Sequence, residues 1–176
     1  MIEIINGSCV DQEVDAIVNA ANRYLLSGGG VCGEIYKRAG YSELNDACSK
    51  IDTPLNDGDA VITNSFNIKN ANYIIHAVGP DFSKTPNAFK ELYDAYYNSL
   101  ELLKSNNLHS ISFSLISSGI YGIGLDNPVE ESTKQCLNAY NDFINKYKDY
   151  NINVKLYAYS NNEYMKVRDY YDIYNR

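Results

Sequence analysis

Apolar and polar positions along the chain follow two periods. Short runs rich in Ile and Val occur at "IEII" (2–5), "DAIVN" (15–19), "DAVIT" (59–63), "NYIIHAV" (72–78), "SISFSLI" (110–116) and "NVKLYAY" (153–159), and they predict six strands. Most of the intervening segments place apolar residues three and four apart, the spacing of helices packed on a sheet. Strands alternating with helices predict a layered α/β fold.

The clearest helix start is "DNPVEES", with Asn127 as a cap, Pro128 at the first helical position and Glu130 completing a capping-box pattern. Its apolar stripe runs Val129, Thr133, Cys136, Leu137, Tyr140, Phe143, Ile144 and Tyr147. A second helix is predicted over 88–105 with Phe89, Leu92, Tyr96, Leu100 and Leu103 inward, and a third over 161–174. A further helix begins near Val31, since "VCGEIYKRAG" spaces Val31, Ile35 and Ala39 by four and ends at Gly40.

Composition narrows this picture without changing it. A chain of 176 residues with 45% hydrophobic and 21% charged residues has neither a linker nor a low-complexity tract, so a single domain over 1–176 is expected. "MIEIINGSCVDQ" lacks a basic leader and no 18 apolar residues are consecutive, which predicts a soluble, cytoplasmic protein that does not enter a membrane. Cys9, Cys32, Cys48 and Cys136 form no C-x-x-C pair, so free thiols are expected, with no disulfide and no metal site. A net charge of −7 argues against binding duplex nucleic acid, which depends on basic side chains at phosphates. It leaves room for a small phosphorylated ligand, because backbone N–H groups can hold a diphosphate without cations. With seventeen tyrosines, a single Tyr carries little functional information by itself.

Two glycine-rich loops carry the candidate chemistry. "GGGVCG" (28–33) satisfies G-x-G-x-x-G, with Asp52 about twenty residues on, and so raises a dinucleotide-dependent oxidoreductase. Nine residues, "AANRYLLSG" ending at the loop's own Gly28, follow the strand-like "DAIVN", whereas a dinucleotide fold places its first glycine directly after the strand. Spacing alone leaves open both a plain glycine turn and an anion site at the following helix N-terminus. "SSGIYGIG" (117–124) likewise leaves a strand toward a helix, and α/β folds place ligands at such loops.

In their order and spacing, "VDAIVNAAN..L..GGGV.G.I...AG" (14–40), "GDAVIT" (58–63), "IIHAVGP" (74–80) and "SISFSLISSGIYG" (110–122) resemble the macro domain family over nearly the whole chain. The resemblance implies a three-layer α/β/α sandwich with a central mixed sheet and a cleft for ADP-ribose. It implies that the loops at 28–33 and 118–122 enclose the diphosphate through N–H groups of Gly30, Val31, Gly119, Ile120 and Tyr121. Ser8, Cys9, Asn19, Gly29, Gly33, Ser117 and Ser118 complete the implied ligand contacts, with Tyr159 beside the adenine. Asn22 and Cys32 are the implied catalytic pair, Asn22 at the distal ribose. For Asn22 a plain turn-forming role after a strand stays open.

The implied activity is release of mono-ADP-ribose from acidic side chains, or deacetylation of O-acetyl-ADP-ribose, without a cofactor. The implied partners are ADP-ribose or an ADP-ribosylated protein, and a monomer is expected. Two departures matter. MacroD-like hydrolases carry aspartate where this chain has Cys32, and many members carry an adenine-binding aspartate where it has Ser8. A cysteine near its ordinary pKa is mostly a neutral thiol and cannot simply replace a carboxylate base. A non-catalytic reader of ADP-ribose is therefore the alternative. His76, in the middle of a strand, reads as a hydrogen-bonded structural histidine.

Overall fold

In the computed structural model, which describes residues 1–176, six strands form one sheet. They are β1 (Ile2–Asn6), β2 (Val14–Ala21), β3 (Ala60–Asn64), β4 (Ala71–Val78), β5 (Ser110–Ser114) and β6 (Asn153–Ala158), in the order β1-β6-β5-β2-β4-β3. Every neighbouring pair is parallel except β3 with β4, so the sheet is mixed. β5 and β6 stop before the apolar runs that predicted them, leaving Leu115, Ile116 and Tyr159 outside the strands.

Five helices cover the sheet: α1 (Gly30–Ala39), α2 (Tyr41–Ser49), α3 (Phe89–Ser105), α4 (Pro128–Lys146) and α5 (Asn161–Tyr174). α1 and α2 pack on one face, where Ile35, Tyr36, Leu44 and Cys48 join Ile17, Ile74 and Tyr157 in a buried cluster. α3, α4 and α5 cover the other, with Leu92, Tyr96, Val129, Phe143 and Val167 against Val18, Ile75, Phe113 and Leu156. These two cores make the three layers.

Local signals account for two of the five helix starts. Pro128 opens α4, but Asn127 makes no side-chain cap, and Glu130 closes no capping box. With ψ at 70°, Asn127 is turned away from the extended geometry that aims a cap oxygen at the first turn. Ser160, at ψ 156°, has that geometry and forms a complete capping box with Glu163 at the start of α5. α2 escaped the periodicity reading because only Leu44 and Cys48 along its length are buried.

The central strands part where the loops leave. β2 pairs with β5 only at Ala16 with Ile111 and Ile17 with Ser112. Below this, Asp15 fastens the strand starts: its Oδ2 accepts from the N–H groups of His109 (2.8 Å) and Ser110 (2.9 Å). Beyond Ile17 the ladder stops and a crevice opens at the C-terminal ends. β2 runs on to α1 on one face, and β5 runs on to α4 on the opposite face. Adjacent parallel strands whose connections leave to opposite sides form the switch point at which open α/β sheets bind ligands.

Candidate functional site

A cleft of about 460 Å³ lies at that crevice, within the size range of small-molecule sites. The segment after β2 supplies Asn22, Gly29, Gly30, Val31 and Cys32 to its wall. The segment after β5 supplies Ser117, Ser118, Gly119, Ile120 and Tyr121, and Tyr159 follows β6. The structure thus brings together eleven of the fifteen residues singled out from the sequence.

Ser8, Cys9, Asn19 and Gly33 do not line the cleft. Cys9 lies beneath the sheet face, where burial pushes its thiol up to about 12, and its carbonyl accepts from Ser112 Oγ at 2.7 Å. The Ser8 hydroxyl faces its own turn, 3.5 Å from the Val10 N–H. A Cβ on Gly33 would stand 2.6 Å from the Gly28 carbonyl oxygen, so this glycine lets α1 fold closely under the loop. Gly28, Gly29 and Gly119 differ from it: a Cβ there meets nothing within 4 Å.

The start of α1 is shaped for an anion. Gly29 at its N-cap has no side chain to bond the first turn, and no acidic residue follows in that turn. The first N–H groups of a helix lack intrahelical partners and carry the positive end of its dipole. Here Gly30 and Val31 present them at the cleft wall, with Gly30 at φ +59°. On the facing side, Gly119 opens a 3₁₀ turn (Ile120–Gly122), also without a side-chain cap. Among all the lining residues only Glu163 is charged, so an anion would be met by backbone dipoles and neutral donors, with no cationic side chain.

Asn22 is already engaged. Its Nδ2 donates to the Leu26 carbonyl (2.8 Å), and its Oδ1 accepts from the N–H groups of Tyr24 (3.1 Å) and Leu26 (3.0 Å). The turn-forming role left open by the sequence is therefore present in the fold. One N–H of the amide remains for a ligand.

Cys32 is buried, with its Sγ 3.8 Å from the Leu26 carbonyl oxygen, to which the thiol donates. Burial raises its pKa; the Gly28 backbone and the Asn19 side chain oppose the shift without cancelling it. At neutral pH the group is a thiol and not a base.

Beneath Cys32 lies a polar network on which Asn19 is turned. Asn19 Nδ2 lies 3.1 Å from His76 Nδ1; an amide nitrogen can only donate, so Nδ1 accepts. His76 Nε2 then carries the proton and donates to Thr63 Oγ1 at 2.9 Å. His76 has no exposure, and burial drives its pKa down to about 4. It is a structural histidine, as its place in the strand suggested.

That shift predicts a pH effect on stability. Between the ordinary value of 6.5 and about 4, unfolded His76 binds a proton that the native state refuses, so stability falls as pH falls through this window. The contribution approaches about 3 kcal/mol at the acid end. Urea unfolding of the protein and of His76→Gln at pH 7 and pH 4.5 checks this: the variant should lose less stability between the two, and equal losses would refute it.

Tyr157 and Glu163 were not anticipated as lining residues. Strand alternation was the available signal for Tyr157, two positions before Tyr159 on the same face. For Glu163 it was the S-x-x-E capping box that starts α5 immediately beyond.

The family model described as Macro domain matches residues 18–136. An O-acetyl-ADP-ribose deacetylase of Escherichia fergusonii is 39% identical over 150 residues, covering 83% of this chain and 81% of that protein. An ADP-ribose glycohydrolase of Mus musculus is 39% identical over 150 residues, covering 84% of this chain and 44% of that longer protein. Among solved structures, the Oceanobacillus iheyensis macrodomain with ADP superposes with a TM-score of 0.88 at 33% identity, over 98% of this chain and 90% of that one. The Trypanosoma brucei macrodomain in complex with ADP-ribose gives 0.84 at 29% identity, over 96% and 68%. No helix is long and apolar enough to cross a membrane.

Proposed function

The chain belongs to the macro domain family, and from that premise we propose that it binds ADP-ribose in the cleft between β2 and β5 and hydrolyses the bond joining ADP-ribose to an acidic side chain or an acetyl group. The observation that carries the reading is the uncapped start of α1 facing the second glycine loop across a cleft with no cationic side chain. A diphosphate suits that arrangement, because its charge is met by fixed N–H dipoles. The likeness to a deacetylase, a glycohydrolase and macrodomains holding ADP or ADP-ribose supports the same ligand.

In this proposal the loops at 28–33 and 117–121 grip the diphosphate, Tyr159 lies by the base and the free N–H of Asn22 meets the distal ribose. Cys32, a neutral thiol, takes no proton from water. Catalysis then rests on holding the scissile bond and a water in line, and on N–H groups placed where negative charge develops. The diphosphate itself is the acceptor that orients the water. The buried state of Cys32 also favours a second reading, a binding module without turnover.

One experiment separates the two. Calorimetry with ADP-ribose should show saturable binding, and incubation with a protein mono-ADP-ribosylated on Glu or Asp should release free ADP-ribose. Binding without release at high protein concentration identifies the reader. Absence of binding overturns both.

A further inference from the structure

The end of the cleft away from Asn22 is built differently from the phosphate loops. In the sheet order, β6 lies beyond β5 from β2, so Tyr157, Tyr159 and Glu163 stand at the far side of the second glycine loop from Asn22. Strands are about 4.8 Å apart, which puts β6 roughly 10 Å from β2 across the sheet. A ligand whose diphosphate sits between the loops extends its nucleoside to this end.

One hydrogen-bonding capacity is left open there. Glu163 Oε2 serves the capping box, accepting from Ser160 N–H (2.9 Å) and Ser160 Oγ (3.2 Å), while Oε1 accepts nothing from the protein. Tyr157 lines the same wall but is only 3% exposed, and its hydroxyl is sealed from the cleft. The free Glu163 oxygen suits a neighbour rich in hydroxyls, because a carboxylate oxygen can accept only from donors.

We propose that Glu163 reads the ribose next to the base, accepting from its 2′- and 3′-hydroxyls, and that the site thereby rejects nucleotides phosphorylated on the 2′-oxygen. The inference rests on the ADP-ribose reading above and narrows it to the 2′-unmodified ligand. A 2′-phosphate removes a donor and brings two negative charges against the one charged side chain of the cavity. No basic residue lines the cleft to offset that repulsion.

Calorimetry with ADP-ribose and 2′-phospho-ADP-ribose tests it on the unsubstituted protein and on Glu163→Gln. Glutamine retains an acceptor for the Ser160 N–H, so the cap of α5 survives, which an unchanged melting temperature verifies. The unsubstituted protein should prefer ADP-ribose by about tenfold or more, and Glu163→Gln should lose most of that preference. Equal affinities in the unsubstituted protein, or the same ratio in the variant, overturn the proposal while leaving ADP-ribose binding intact. If neither ligand binds the unsubstituted protein, the ADP-ribose reading itself falls, and this inference falls with it.

Discussion

Asn22→Ala is expected to lower release of ADP-ribose from a modified protein by about a hundredfold or more, the scale on which small misplacements of a reacting group act. The substitution deletes three hydrogen bonds that fold residues 22–26, and with them the one N–H left for a ligand. The displaced segment includes Leu26, whose carbonyl also receives the Cys32 thiol, so the start of the phosphate loop moves with it. Asn22→Asp separates the two contributions. Aspartate retains acceptors for Tyr24 and Leu26 but has no N–H for ribose and sets a negative charge toward the diphosphate. Steady-state turnover with matched calorimetry reads the result: unchanged turnover in Asn22→Ala would remove Asn22 from the mechanism.

Cys32→Asp is expected to act in the opposite direction, raising turnover by about tenfold or more, the lower reach of general acid–base catalysis. The thiol is held protonated by burial, whereas the groups beside it, the Gly28 backbone and the Asn19 side chain, already favour a negative charge at this position. A carboxylate would inherit those two supports and could accept a proton from water. Against it stands the Leu26 carbonyl, now facing an acceptor in place of an S–H donor. Single-turnover rates against pH give the decisive signature, since a working base adds an acid-side pKa that the thiol protein lacks. A variant that binds ADP-ribose normally yet hydrolyses no faster would show that the loop does not use residue 32 as the hydrolases do.

How far each feature could be read in the sequence depended on the range of the forces behind it. The ends of α5, the proline start of α4 and the glycine stop of α1 are set by a few adjacent residues, so periodicity and capping chemistry found them. α2 has too short a buried stripe to announce itself. The two glycine loops were legible because N–H groups and small residues are local properties; their meeting at parted strands is not. Nothing near Asn19 in sequence reveals that its amide is committed to His76, 57 residues away. Glu163 illustrates the same limit in reverse. Its capping role is local, but its place on the cleft wall follows from how β6 and α5 sit beside β5.

The glycines of the two loops divide into two kinds with an evolutionary consequence. At Gly33 a methyl would strike the Gly28 carbonyl, and at Gly122 it would stand 2.7 Å from that of Ser117, so drift at these positions is checked by folding itself. At Gly28, Gly29 and Gly119 a methyl enters only open space at the cleft. Selection on affinity and selection on foldability therefore act on separate codons within each loop. Substitution at the open glycines can therefore reshape the cleft while the scaffold persists.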